Sequence, residues 1–433
     1  MSRALRAPVP LAGAAAAGLL IAAVLGASGC AYSLVSRGLV RPEPFEQIMT
    51  RSVRARGIAP EGEVRTRVIA AAELPGILRS ALAAEWTGAQ IQSYQEGLTT
   101  LGLWPADRDL AGELVAVYAE EIAGLYLPAQ RTLYLVDDAP SSWSLRLLST
   151  FTRRDLQLEM ILSHELVHFL QHQAFADLMD PDPFWRSQGD VASAIQAALE
   201  GDALHFGFAS LEIEPPAADE LRAAMEEANT TRSHGTLAEA PALLRLTVNF
   251  PYAHGYGLSL REGRALLAAP PASTEQVLHP EKRHEPFQAI DLAGLRAALP
   301  ASCKVDFEDT LGELGISVLL RDLGSDEAAV VWEGWDGDRW LAARCEGRRE
   351  LVWLTAWDSE ADAAEFAAAY ARIAPRVAER AGMTSPPVAQ ISGREIWIAT
   401  PALAPVAVHL HALARCDRVA DLPGVRAHFP ASH

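Results

Sequence analysis

The amino-acid sequence predicts an α+β fold in two units: a larger domain over residues 70–300, with a β-hairpin ahead of its longest helix, and a smaller α+β unit over residues 301–433. Three observations predict it. A chain of 433 residues is too long for one small core. Apolar residues recur at helical spacing through most of the first unit, interrupted by one pair of strand-like runs. Beyond about residue 301, strand-like runs become the commoner pattern. The residues are 50% hydrophobic and 21% charged, the balance of a folded globular chain.

The first thirty positions read as an export signal. Arg3 and Arg6 precede an apolar run from Leu11 to Leu25, and small residues then lead into Cys30. Ala27-Ser28-Gly29-Cys30 resembles a bacterial lipobox, with Ala27 where Leu is most usual; the resemblance implies cleavage before Cys30 and lipidation of its thiol. An uncleaved anchor helix is the other reading, and both export the rest of the chain. Residues 31–69 read as an N-terminal segment with a short helix and loops around Pro42, Pro44 and Gly57.

In the larger unit, Leu78, Leu82, Trp86, Ile91 and Tyr94 predict helix over 75–100, and a second helix is expected at about 108–119. Ile122–Tyr126 and Arg131–Val136 read as two strands joined by a turn at Pro128-Ala129-Gln130. Long helices follow at about 155–173 and 190–211, with Asp190 as the expected N-cap of the second. Between them lies a loop rich in Asp and Pro. Another helix at about 240–249 is expected to break at Pro251, Gly255 and Gly257, and residues 268–290 to be irregular. The smaller unit reads as a helix near 307–322, strands at 328–332, 340–344, 350–355 and 395–399, and a helix over 359–381, with a Gly/Asp turn at 334–338. Its tryptophans, Trp332, Trp335, Trp340, Trp353 and Trp357, read as core.

The net charge of -18 and the presence of only two lysines, Lys282 and Lys304, exclude nucleic acid as a partner, because phosphates need clustered cations. Besides Cys30 there are Cys303, Cys345 and Cys416, enough for one disulfide whose pairing the sequence leaves open, and without the CxxC spacing of a cysteine zinc site.

The chemistry concentrates on two helices. His164-Glu165-Leu166-Val167-His168 places two imidazoles four residues apart, one above the other on a helix face, where they can share a metal ion. Glu165, next to the first imidazole, is then the general base that takes a proton from the attacking water. The surrounding Met160, Ile161, Leu162, Leu166, Val167, Phe169 and Leu170 make this a buried helix. A catalytic zinc needs a third protein ligand, for which His172, Asp177, Asp190, Glu200, Asp202 and His205 are the downstream candidates. Glu200 is chosen, because it is a carboxylate in an otherwise small and apolar run, Ala197 to Ala203, and Gly201 beside it marks close helix packing. His172 has drifted off the metal-facing side of the helix. Asp202 is placed to orient a ligand imidazole, and His205 reads as a satisfied helix histidine.

These motifs resemble a little-characterised group of bacterial lipoproteins that carry gluzincin-type zinc metallopeptidase motifs. The resemblance runs over most of residues 80–380: the Tyr126 hairpin with Leu133 to Asp138, His164 to Gln171, Leu199 to Ala203, Phe250-Pro251-Tyr252, Ser273 to Lys282, Gly334 to Trp340 and Trp357 to Ala363. It departs at His172, where relatives carry Asp. It implies a gluzincin-like domain with Zn2+ on His164, His168 and Glu200, Glu165 as catalytic base, and the 130–137 strand along the cleft, open to an added peptide strand. Such hydrolases also need a donor to the oxyanion. His279 is the first candidate and Tyr252 the second, with His254 and Tyr256 remaining open.

The expectation is a zinc-dependent peptidase of the bacterial envelope, lipid-anchored at Cys30, with peptides or envelope proteins as substrate. The alternatives are an envelope scaffold or binding lipoprotein that keeps the fold without turnover, and a zinc hydrolase of a non-peptide amide such as cell-wall material.

Overall fold

The computed structural model describes residues 34–137, 154–179, 187–212, 215–231, 235–324, 330–407 and 412–416. Cys30 and the apolar run before it lie outside these residues. Among the described residues no helix is long and apolar enough to cross a membrane. The fold is mixed α+β, as expected.

A small hairpin, β1 (Val35–Ser36) and β2 (Leu39–Val40), leads into α1 (Pro42–Arg56). Leu34 and Ile48 are buried in one apolar cluster with Tyr126, Leu133, Leu135, Leu166 and Phe169. Residues 31–69 are therefore not a separate segment. Their apolar side chains complete the core of the larger unit, and they include an unexpected strand, β3 (Arg65–Ile69). The 75–100 run is two helices rather than one, α2 (Leu74–Glu85) and α3 (Gly88–Thr100). Thr87 starts the second with a capping box: its Oγ1 accepts from Gln90 N at 3.3 Å, and Gln90 Oε1 accepts from Thr87 N at 2.9 Å.

After α4 (Leu110–Glu121) the predicted hairpin forms, β4 (Gly124–Leu127) and β5 (Thr132–Val136) around a 3₁₀ turn at Pro128–Gln130. The sheet order is β3-β5-β4, with β5 parallel to β3 and antiparallel to β4. Every residue of β5 is buried, which is why it reads as a continuous apolar run. This corrects the expectation for the 130–137 strand: it is paired on both sides, and among the described residues the edges of the sheet are β3 and, at the cleft, β4.

The two long helices are α5 (Leu156–Ala174) and α6 (Gly189–Ser210), followed by α7 (Phe250–Glu262). The residues expected to end a helix at 251–257 instead build α7. Pro251 falls in its first turn, where no amide bond is lost. The glycines let α6 and α7 touch backbone to backbone. A Cβ on Gly201 would lie 2.0 Å from Gly255 C, and one on Gly255 would lie 1.9 Å from Ala197 O. The close packing signalled by Gly201 is thus with α7. Toward α5, α6 presents Gly207, whose Cβ would sit 3.5 Å from His164 Cα.

The second unit starts earlier than residue 301, because β6 (Phe287–Asp291), in the stretch expected to be irregular, pairs with β12 (Ala412–Cys416). Between them lie β7 (Cys303–Asp309), α8 (Gly312–Leu323), β8 (Trp335–Cys345), β9 (Arg348–Trp357), α9 (Glu360–Ala381), β10 (Val388–Ser392) and β11 (Glu395–Ala399). The sheet is antiparallel in the order β10-β11-β9-β8-β7. The expected strand at 328–332 begins outside the described residues, and Val330 to Trp332 form a turn. The expected Gly/Asp turn is instead the start of β8. Trp335, Trp340, Trp353 and Trp357 are at most 1% exposed and share one core with Leu98 and Trp104 ahead of the hairpin and Val191 and Ile195 of α6. The disulfide joins Cys303 to Cys345, which face each other across β7 and β8.

Candidate metal centre

His164 and His168 lie one turn apart on α5, and Glu200 reaches them from α6. His164 Nε2 is 3.1 Å from Glu200 Oε2, His168 Nε2 is 3.3 Å from the same oxygen, and the two Nε2 atoms are 3.0 Å apart. The side chains are mostly buried. Four-coordinate zinc with bonds of about 2.0 Å holds adjacent donors about 3.3 Å apart, so the triangle has the edge lengths of one face of such a site. Among the described residues it is the only group of three that could hold a metal ion.

The electrostatics ask for a cation in the same place. Burial alone would raise the Glu200 carboxyl, but His168 and His164 hold it well below the usual carboxylate range. Burial opposes charge on His168, yet the Glu200 carboxylate pushes its imidazole up to about 9. Without a metal the triangle keeps a proton instead. The donor set, two imidazole nitrogens and one carboxylate oxygen, fits zinc.

Glu165 faces β4. Its Oε2 accepts from Tyr126 N at 2.7 Å. Burial pushes its carboxyl above the ordinary range, against the pull of the two imidazoles and the Tyr126 amide. Gly124 on the same strand leaves room for it: a Cβ there would lie 2.4 Å from Ile161 Cγ2 and 3.0 Å from Glu165 Cγ. The metal triangle, Glu165, β4 and Tyr252 border one cleft of about 530 Å³, whose walls are mainly apolar and include Leu78, Leu125 and Leu199.

Tyr252, on α7, stands beside the triangle with its ring 6.3 Å from that of His164. Burial, and then the nearby Glu200 carboxylate, hold it well above its ordinary range, so it remains a hydrogen-bond donor. His279 is not at the site, which corrects its selection as first oxyanion donor. It does not border the cleft, and its Nε2 pairs with the buried Glu313 carboxylate of α8 at 2.8 Å. The Ser273–Lys282 stretch that carries it ties the two units together, with Lys282 Nζ 2.6 Å from Glu275 and 2.8 Å from Asp358. Tyr256 donates to Pro216 O instead of reaching the cleft.

The remaining candidates fall as follows. His172 Nδ1 is 2.9 Å from Tyr126 Oη, off the metal. His205 is a satisfied helix histidine, 3.0 Å from Ser259 Oγ. Asp202 reaches no imidazole directly; Gln171 stands between them. Asp190 does not cap its helix. Its Oδ1 accepts from Thr274, while Asp309 Oδ1 accepts from Gly189 N at 2.7 Å and caps α6 from the second unit. Sequence reasoning missed Gln171, Arg56 and Tyr118. Tyr118 borders the cleft, and burial and Glu200 raise its phenol. The one local signal for Gln171 is an amide directly after the apolar pair Phe169-Leu170 on a buried helix.

Residues 303–400 match a domain of unknown function, DUF8575, which lies within the second unit and holds none of the metal-centre residues. No curated protein and no solved structure matches the chain.

Proposed function

We propose that the chain is a zinc-dependent peptidase with a gluzincin-like catalytic domain, acting on peptides or envelope proteins and held to the bacterial envelope by a lipid on Cys30. The observation that carries the reading is the convergence of His164, His168 and Glu200 at 3.0–3.3 Å, with the Glu165 carboxylate beside them in the same cleft. When bound, zinc supplies Lewis-acid chemistry, making water acidic enough to attack at neutral pH and polarising a carbonyl.

The chain's own groups do the rest. The Glu165 carboxylate, oriented by the Tyr126 amide, takes the proton of the attacking water and passes it to the leaving nitrogen. The Tyr252 phenol donates to the oxygen that gains charge. The edge of β4 borders the cleft, so an extended peptide lies along it as an added strand, and the apolar walls exclude water.

The test is zinc content and peptide hydrolysis of the purified chain beside two variants. The wild type is expected to hold about one zinc per chain, and Glu200→Ala to lose most of it. Glu165→Gln is expected to keep the zinc and lose hydrolysis by on the order of 10²–10⁴-fold. Zinc in the wild type with no hydrolysis of any peptide library would favour a metal-holding scaffold, and cleavage of muropeptides alone would favour the cell-wall reading. A wild type that takes up no zinc sinks the proposal.

A further inference from the structure

His168 donates its Nδ1–H to Gln171 Oε1 at 2.8 Å. The Gln171 amide cannot be turned the other way. Its Nε2 donates to Leu199 O at 2.9 Å and to Asp202 Oδ2 at 2.9 Å, which uses both hydrogens on acceptors. The oxygen must therefore face His168 and Nδ1 must carry a proton, so that when a metal takes the place of the proton held in the triangle, Nε2 offers it the lone pair. The same amide is bonded to the backbone immediately before Glu200 and to the side chain two residues after it. Gln171 is fully buried, as is Asp202. Asp202 Oδ2 in turn accepts from Arg56 Nε at 2.8 Å, and that guanidinium, 3% exposed, lies 5.0 Å from the Phe206 ring and 5.6 Å from the Phe175 ring. His164 has no such brace: its buried Nδ1 finds no partner among the described residues.

We infer that Gln171 is the positioning residue of the metal centre, a single amide that sets the tautomer of His168 and locks α5 to α6 at Glu200, with Arg56 of α1, paired to the buried Asp202 of α6, holding the amide in place. The inference rests on the metal site proposed above. An acceptor on the second nitrogen of a ligand imidazole fixes the ring and raises its basicity, and losing one costs about 10–100-fold in metal affinity. Here the loss also removes the tie between α5 and α6 beside the third ligand.

Two measurements on the full-length chain test it. Zinc affinity by chelator competition, run well below the melting temperature, is expected to weaken about 10–100-fold in Gln171→Met. General destabilisation of the fold would not change that affinity while the metal-free variant stays folded by circular dichroism. The second measurement needs no variant. Long-range proton–nitrogen spectra of the zinc-loaded wild type are expected to show His168 as the Nδ1–H tautomer. Unchanged affinity in the Met variant, or the Nε2–H tautomer in the wild type, overturns the brace and leaves the metal site standing. A wild type that takes up no zinc overturns both.

Discussion

Gly124 shows how narrow the tolerance is at the scale of one residue. Adding a methyl would place a carbon 2.4 Å from Ile161 Cγ2 and 3.0 Å from Glu165 Cγ, inside contact distance of both. Gly124→Ala is expected to cost about 1–3 kcal/mol by overpacking and, on the proposed function, to lower kcat more than zinc content, because the displaced group is the proposed base and not one of the proposed ligands. Urea unfolding, zinc analysis and turnover on the same preparation check this, and an Ala variant of full activity contradicts it. At this scale the sequence was legible where chemistry depends on helical spacing. His164 and His168 meet because four residues make about one turn, and Glu200 stood out as a carboxylate among small apolar residues. His279 was misplaced because its partner, Glu313, is distant in sequence and nothing local reveals the pair. The role of Gln171 was hidden for the same reason: its bonds to Leu199 and Asp202 cross between helices.

At the scale of elements, α6 is held from both sides. Gly201 and Gly255 bring it against α7, and its first amides are capped by Asp309, the last residue of β7 in the other unit, and by Thr310 after it. Asp309→Ala is expected to destabilise the protein by about 1–2 kcal/mol as a lost helix cap, seen as a lower urea midpoint; an unchanged midpoint would mean that water replaces the cap without cost. Helices with strong periodicity and the β4–β5 hairpin were readable. Two kinds of element were not. β3 has exposed arginines alternating along it and finds β5 in parallel, with no hairpin turn to announce it. α7 is hidden because Pro251, Gly255 and Gly257 usually end helices, so the sequence predicts only a helix at about 240–249 that stops there, and only the facing helix shows why they do not.

Over the whole molecule, buried acids join the two units and make stability depend on pH. Burial pushes Asp190 up to about 7, and Asp309 and Glu275 up to about 8, from ordinary values of 3.8, 3.8 and 4.5. Between those ordinary values and the raised ones, the folded state keeps protons that the unfolded state has released, so stability falls as pH rises. The urea midpoint is expected to decline between pH 5 and pH 9, and a flat or rising profile contradicts it. The predicted boundaries at residues 70 and 301 also dissolve at this scale. Leu34 and Ile48 serve the core under α5, and the tryptophans of the second sheet share a core with α6.

Asp309 also lies within the segment that matches the domain of unknown function. About 16 Å of helix, at 1.5 Å per residue, separates the amide it holds from Glu200. The segment is thus a mount for the helix that carries Glu200 and not an appendage. On the proposed function, a genetic screen scoring lost activity would collect hits across residues 303–400, which hold none of the metal-centre residues, for mechanical reasons alone.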